Sequence, residues 1–207
     1  MKTGSNLDRN QREFIELPSA VIDNGTVLAV ERAVKATQPG ADVVLLGARD
    51  PALFALRRKS LEEGSGTQGM VARLSDVLGG TQATHLILIT KLHHDAMLKL
   101  ESSHVGSGKL EGVGFYIDHA LRTTRSDTGA RGQGFLAPFA YFTVSLIDLR
   151  SRTTLAEEDV VASTTHSAAR SDTLHPWDAM NADQKVRELQ RLIRTEIARV
   201  TPELLKK

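Results

Sequence analysis

Phe139-Ala140-Tyr141-Phe142-Thr143-Val144-Ser145-Leu146-Ile147-Asp148-Leu149 is the stretch that decides the fold. Aromatic and β-branched side chains dominate it, and these suit a pleated, packed surface. Successive residues of a strand face opposite ways. Tyr141, Thr143, Ser145, Ile147 and Leu149 therefore share one face, and Phe142, Val144, Leu146 and Asp148 the other. Arg150-Ser151-Arg152-Thr153 supplies a turn, and a returning strand is expected over 154–163. That return carries Glu157 and Asp159 on one face and Ala156, Glu158, Val160 and Ala162 on the other. Its acidic residues, with Asp148, read as strand-edge or surface charges, because a pair of catalytic carboxylates requires a defined separation across a cleft.

Upstream of the hairpin, Leu86-Ile87-Leu88-Ile89 is a continuous apolar run, expected as a central strand that continues through Leu92. Val43-Val44-Leu45-Leu46, closed by Gly47, reads as an interior strand of the same kind. Helical material lies between the two. Asp50 followed by Pro51 has the chemistry of a helix start, with Leu53, Phe54 and Leu61 near one stripe and Arg57, Arg58 and Lys59 turned to water. Met70, Val71, Leu74, Val77 and Leu78 recur at helical spacing, and Gly79-Gly80 stops them. Two strands separated in this way predict a βαβ crossover. Nearer the start, Val27–Val30 is either a short strand or the opening of a helix toward Lys35, ended by Pro39-Gly40.

Val113, Phe115 and Ile117 alternate with Gly114 and Tyr116, as a strand would. Residues 118–138, rich in Gly, Thr and Arg, are expected as a long connection, and 164–180 as a polar loop. A final helix follows. Asn181 and Gln184 have capping-box spacing, and Val186, Leu189, Leu192, Ile193, Ile197 and Val200 form one apolar stripe that Pro202 is expected to end. Lys185, Arg187, Glu188, Arg191 and Arg194 make up its charged face. The fold class is accordingly α/β or α+β: one domain over 21–207, of two or three layers, with a mixed sheet, the long hairpin and the C-terminal amphipathic helix. Residues 1–20 are polar and weakly patterned, as a flexible arm would be.

A chain of 207 residues is long enough for one substantial core, and 41% apolar content separates it from disordered sequences. Lys and Arg number 26 against 25 Asp and Glu, a formal charge of +1, so no strong nucleic-acid signal arises from net charge. The absence of cysteine removes disulfides, thiol nucleophiles and cysteine-ligated zinc. No run approaches the roughly 18 apolar residues of a spanning helix, so no transmembrane segment is expected. As written, the chain reads as cytoplasmic; with a processed or truncated N-terminus it would be periplasmic.

Several polar clusters are candidates for chemistry. His93, His94 and Asp95, with His85 nearby, bracket the Leu86–Leu92 run, and imidazole and carboxylate groups at a strand end suit a transition metal. Adjacent His93 and His94 would, however, face opposite ways on a continuing strand. Gly64-Ser65-Gly66-Thr67-Gln68-Gly69 precedes a helix but lacks the lysine and hydroxyl residue of a phosphate loop. Arg122, Arg125 and Arg131, with Asp127 among them, provide planar guanidinium donors for a phosphate or carboxylate, or for an RNA backbone. His166, Ser167, Ser171, Asp172 and His175 include the residue types of acid–base chemistry without the spacing of a known triad or elbow. No cofactor is identified.

The hairpin Ala140–Leu155, in which a strand ending Ile147-Asp148-Leu149 turns into the next, resembles one found in bacterial envelope accessory proteins. These are the α/β domains of the curli-secretion and lipoprotein-activator type, and the amphipathic helix near 182–200 is compatible with their element order. The resemblance spans about a quarter of the chain and implies an envelope protein that binds partners or oligomerises without catalysis. Together with the packing elements it leads to one expectation: a non-catalytic binding or assembly module, with a protein partner or a second copy of itself. The alternative is a small-molecule or metal-dependent enzyme using the histidine-rich strand end and the polar loops.

Overall fold

A computed structural model describes residues 21–47, 52, 55–56, 68–124, 127–170 and 175–206. The expected arm at 1–20, the helix start at Asp50-Pro51, the glycines at 64 and 66, Arg125, Ser171 and Asp172 lie outside them. The elements run α1 (Val21–Thr37), α2 (Gln68–Leu78), β1 (His85–Lys91), β2 (His93–Asp95), β3 (Leu98–Lys99), β4 (His104–Val105), β5 (Lys109–Thr124), β6 (Arg131–Asp148), β7 (Thr153–Ser163), β8 (His166–Ser167) and α3 (Ala182–Leu204). Two 3-10 turns, Ala168–Arg170 and Pro176–Ala179, lie between β8 and α3. This is a mixed α/β fold whose C-terminal part holds a long hairpin and a helix.

Strand β6 is the spine of the sheet. The strand order is β1-β6-β5-β2, with β7 and β8 also pairing β6. Every position from Gly134 to Ile147 is buried, so the polar–apolar alternation of a half-exposed strand is absent. The buried hydroxyls in this run are matched: Thr143 donates to Asp159 at 2.6 Å and Ser145 to Glu157 at 2.8 Å across the hairpin. The acidic residues of β7 thus satisfy polar groups that burial would otherwise leave at a cost of about 1–3 kcal/mol each. Pairing is antiparallel between β2 and β5, β5 and β6, and β6 and β8.

The chain divides into two compact units. The first contains Lys91–Phe142 and Val160–Glu196. Here both faces of the β5–β6 ribbon are covered. One face packs Leu110, Tyr116, Phe135, Ala137, Phe139 and Tyr141 against Leu98 from β3. The other packs Ile117 and Leu136 against Met180, with Phe115 meeting Trp177 edge-on at 5.5 Å. The second unit contains the described part of Val27–Thr90, with Thr143–Asp159 and Ile197–Lys207. In it Met70 and Leu74 of α2 pack with Leu86 and Leu88 of β1. Ala29, Val30, Ala33 and Val34 of α1 are buried as well.

Several expectations are corrected. Val43–Leu46 is not a strand; Val44 is 76% and Leu46 52% exposed, so the run that read as interior lies on the surface. Without it the expected βαβ crossover does not form among the described residues. Leu86–Ile89 does form a strand, but β1 ends the strand order and is only half-buried, whereas β6 is central. The supposed connection 118–138 is two long strands, joined by a turn with Gly129 at φ 69°. Its glycines and arginines obscured a ribbon that backbone pairing sustains. The polar loop 164–180 contains β8 and both 3-10 turns.

Helix α3 begins as expected. The Asn181 N–H donates to Gln184 Oε1 at 2.8 Å, and the Gln184 N–H donates back to Asn181 Oδ1 at 2.9 Å. It runs through Pro202 to Leu204 rather than stopping there. A proline in the last turn removes one backbone donor, and the ladder resumes when Leu205 N–H donates to the Thr201 carbonyl at 3.1 Å. Lys185, assigned to the charged face, is buried. Among the described residues no helix is long and apolar enough to cross a membrane.

Candidate functional site

The residues singled out for chemistry fall into separate settings. Strand β2 pairs β5 in the register His93↔Glu111, His94↔Leu110 and Asp95↔Lys109. His93 and Asp95 are exposed on one face. His94 faces the other way, with Nδ1 3.0 Å from the Asp95 carbonyl oxygen and its ring edge-on to Tyr141 at 6.2 Å. The strand period therefore divides the three would-be ligands. His85, beyond the start of this group, lies with Nδ1 2.9 Å from Thr84 Oγ1. Among the described residues no three His, Cys, Asp or Glu side chains converge as a metal site.

The arginine stretch lies on the ribbon. Arg122 pairs with Gln133 and Thr124 with Arg131, which puts Arg122, Thr124, Arg131 and Gln133 on one face, and all four side chains are exposed. Thr123 faces the opposite way, its hydroxyl 2.7 Å from Ser167 Oγ of β8 and donating to the Gly134 carbonyl at 3.2 Å. Asp127 is exposed in the turn between the strands. Among the described residues, the ribbon meets β8 and the turns after it through the Phe135↔Ser167 and Leu136↔His166 pairs, the Thr123–Ser167 hydroxyl contact and the close approach of Gly132 to Ala169.

His166, opposite Leu136 on β8, has Nε2 3.9 Å from Glu188 Oε1 of α3. His175 caps the Pro176–Ala179 turn: its Nδ1 accepts the Trp177 N–H at 3.2 Å, so that nitrogen carries no proton. Its ring lies 5.3 Å from that of His119. His166 and His175 therefore occupy positions that organise the segment in front of α3.

The N-terminal turns of α3 hold an arrangement that sequence reading reduced to a charged helix face. Glu188 is the hub. Arg191 donates to it through Nε at 3.0 Å and Nη2 at 2.7 Å, and Thr164 Oγ1 donates at 2.8 Å. The Arg191 hydrogen bonds, opposed in part by burial, hold the Glu188 carboxyl below the usual carboxylate range, and the same pairing raises Arg191. Lys185 points the other way, with Nζ 3.7 Å from the centre of the Trp177 ring and donating to the Met180 carbonyl at 2.8 Å. Burial lowers its pKa. An ammonium over an indole face is stabilised by the ring quadrupole, typically by about 0.5–2 kcal/mol.

Beside this hub lies an open groove of ≈ 790 Å³, lined by Asp178–Asn181 and, from α3, by Gln184, Arg187, Glu188, Arg191 and Arg194. Positions 187, 191 and 194 share one helix face because their spacings are four and three residues. That spacing was visible in the sequence. What was not visible is that the 3-10 turn before α3 supplies the second wall. Comparison with known proteins finds no matching family model, no matching curated protein and no matching solved structure.

Proposed function

We propose that this chain is a non-catalytic binding or assembly module whose partner is a protein or a second copy of itself. The observation that supports this is the distribution of exposed apolar side chains. Leu28, Val44, Leu45, Leu46, Val77 and Leu155 are all exposed large hydrophobics of the second unit, whereas Met97 belongs to the first. Val44, Leu45 and Leu46 are consecutive, so their exposure is concentrated on one short segment. Fully burying a valine or leucine side chain contributes about 1.5–3 kcal/mol, and a surface that keeps several of them wet gains from being covered. The resemblance of the Ala140–Leu155 hairpin to envelope accessory domains extends the proposal to the bacterial envelope.

Light scattering on the purified chain over a concentration series, with affinity capture alongside, tests the proposal. The expected result is a mass above that of one chain, or a reproducible stoichiometric partner. Either should be lost in the triple variant Val44→Ser, Leu45→Gln, Leu46→Ser. A monomer with no partner, or an assembly indifferent to the triple substitution, would overturn it.

A further inference from the structure

The groove beside α3 has a charge pattern that selects a ligand class. Arg191 is neutralised by Glu188 in a two-point pair. Arg187 and Arg194 flank that pair, both are exposed, and neither has an ion-pair partner among the described residues. They stand seven positions apart on α3, about 10.5 Å along the helix axis at 1.5 Å per residue. The groove therefore presents two uncompensated guanidinium groups with a neutral pair between them. Asn181 and Gln184 lie at its end; their side-chain oxygens are engaged in the capping box, which leaves their amide N–H groups as further donors.

We infer that this groove binds an acidic peptide segment in extended conformation, with carboxylates two to four residues apart. An extended chain advances about 3.3 Å per residue, so side chains on one face recur at about 6.6 and 13 Å, a spacing that two flexible arginines about 10 Å apart can span. Planar guanidinium donors match carboxylates in two-point geometry. Two features favour a peptide over a nucleic-acid strand. Asp178 lines the same groove, and its carboxylate opposes a continuous run of phosphates more than a few carboxylates spaced along a peptide. Trp177, the aromatic residue next to the groove, is half-buried against Ile117, Leu136 and Met180, with Lys185 over its ring and Phe115 nearly perpendicular to it, which makes it a poor platform for base stacking. The site lies wholly within the first unit and goes beyond the apolar surface proposed above.

The test uses the full chain and a fluorescein-labelled octapeptide of alternating Glu and Gly, followed by fluorescence anisotropy at low ionic strength. A Gln–Gly octapeptide and a single-stranded oligothymidylate are the comparison probes. The expected outcome is binding of the Glu peptide at least about tenfold tighter than the Gln peptide, weakening as salt rises. The double variant Arg187→Gln, Arg194→Gln should reduce binding to the level of the Gln peptide, whereas Arg32→Gln on α1 and the Val44–Leu46 triple variant should leave it unchanged. Trp177 is the sole tryptophan, so its emission gives a second readout of groove occupancy and of folding in each variant. Equal affinity for the Glu and Gln peptides, oligothymidylate binding as tight as the Glu peptide, or a folded double variant with unaltered affinity would each overturn the inference. Loss of assembly in the triple variant with intact peptide binding separates this site from the apolar one.

Discussion

Alanine at Gly129, Gly132 and Gly134 separates two costs that a glycine can hide. Gly129 sits at φ 69° with open space around it. Gly129→Ala therefore meets only the left-handed backbone, a cost of about 1–2 kcal/mol, offset by about 0.4–1 kcal/mol because alanine stiffens the unfolded chain. Gly132 has ordinary backbone geometry, but an added Cβ would lie 2.6 Å from the Ala169 backbone nitrogen and 2.9 Å from Ala169 Cβ. Gly132→Ala must displace the Ala168–Arg170 turn, at about 1–3 kcal/mol for overpacking. Gly134 combines both penalties: φ is 88°, and a Cβ there would overlap the Asp118 carbonyl oxygen and sit 2.7 Å from Pro176 Cγ. The backbone and overpacking costs, less the gain in the unfolded chain, make Gly134→Ala about 3 kcal/mol less stable than wild type, or about 6–12 °C in Tm for a chain of this size. Urea unfolding followed by circular dichroism and by Trp177 emission measures all three. If Gly134→Ala falls within about 0.5 kcal/mol of Gly129→Ala, the close packing of the ribbon against the segment before α3 is wrong.

Other perturbations follow from individual contacts. Tyr141→Phe removes the hydroxyl that accepts the Met97 N–H at 2.8 Å; a loss of about 1–3 kcal/mol in urea unfolding is expected, and a neutral result would show that water replaces it. Glu188 has its folded pKa depressed, chiefly by Arg191, so its contribution is present above the unfolded value of about 4.3 and is lost as pH falls through the lower folded value. In Tm measured against pH, Glu188→Gln should accordingly show a shallower acid limb than wild type; parallel limbs would refute this. Lys185 has its folded pKa depressed by burial, so wild-type stability gains a rising component as pH climbs toward the unfolded value of about 10.4. Lys185→Met should lack that component and lose about 1–2 kcal/mol at neutral pH with the indole and carbonyl contacts; a more stable variant at pH 7 would mean that desolvation outweighs both.

Local signals were legible where one rule acted alone. The apolar stripe and capping pair of α3 foretold its start, and the Phe139–Leu149 pattern foretold the hairpin, because each element is specified by its own residues. Tertiary context hid the rest. Arg131-Gly132-Gln133-Gly134 has the composition of a loop, yet it is a strand: β5 supplies its ladder, and the turns before α3 need the missing side chains of Gly132 and Gly134. Val43–Leu46 has the composition of a core strand, yet Val44, Leu45 and Leu46 are exposed, since apolar character says what a segment gains from cover and not what covers it. The groove escaped notice for a related reason. Arg187, Arg191 and Arg194 read as a solvated stripe, and only the folded chain brings Asp178–Asn181 beside them. Lys185 shows the same limit from the other side, since a lysine in a charged run is buried over an indole.

The two proposed surfaces obey different physics, and this makes them separable without any mutation. Recognition through Arg187 and Arg194 is a Coulomb interaction at exposed groups. It should fade as the screening length contracts from about 10 Å at 0.1 M salt to about 3 Å at 1 M. Association through Val44, Leu45 and Leu46 depends on removing apolar surface from water, which salt does not screen and which sulfate strengthens. A sodium sulfate series should therefore release the acidic peptide while preserving or deepening self-association or partner capture. If both processes weakened in parallel, the assembly would depend on charge, and the exposed apolar segment would not be its seat. If neither weakened, the arginines of the groove would not be holding the peptide. The sign of the salt response thus assigns each binding event to the side chains that cause it.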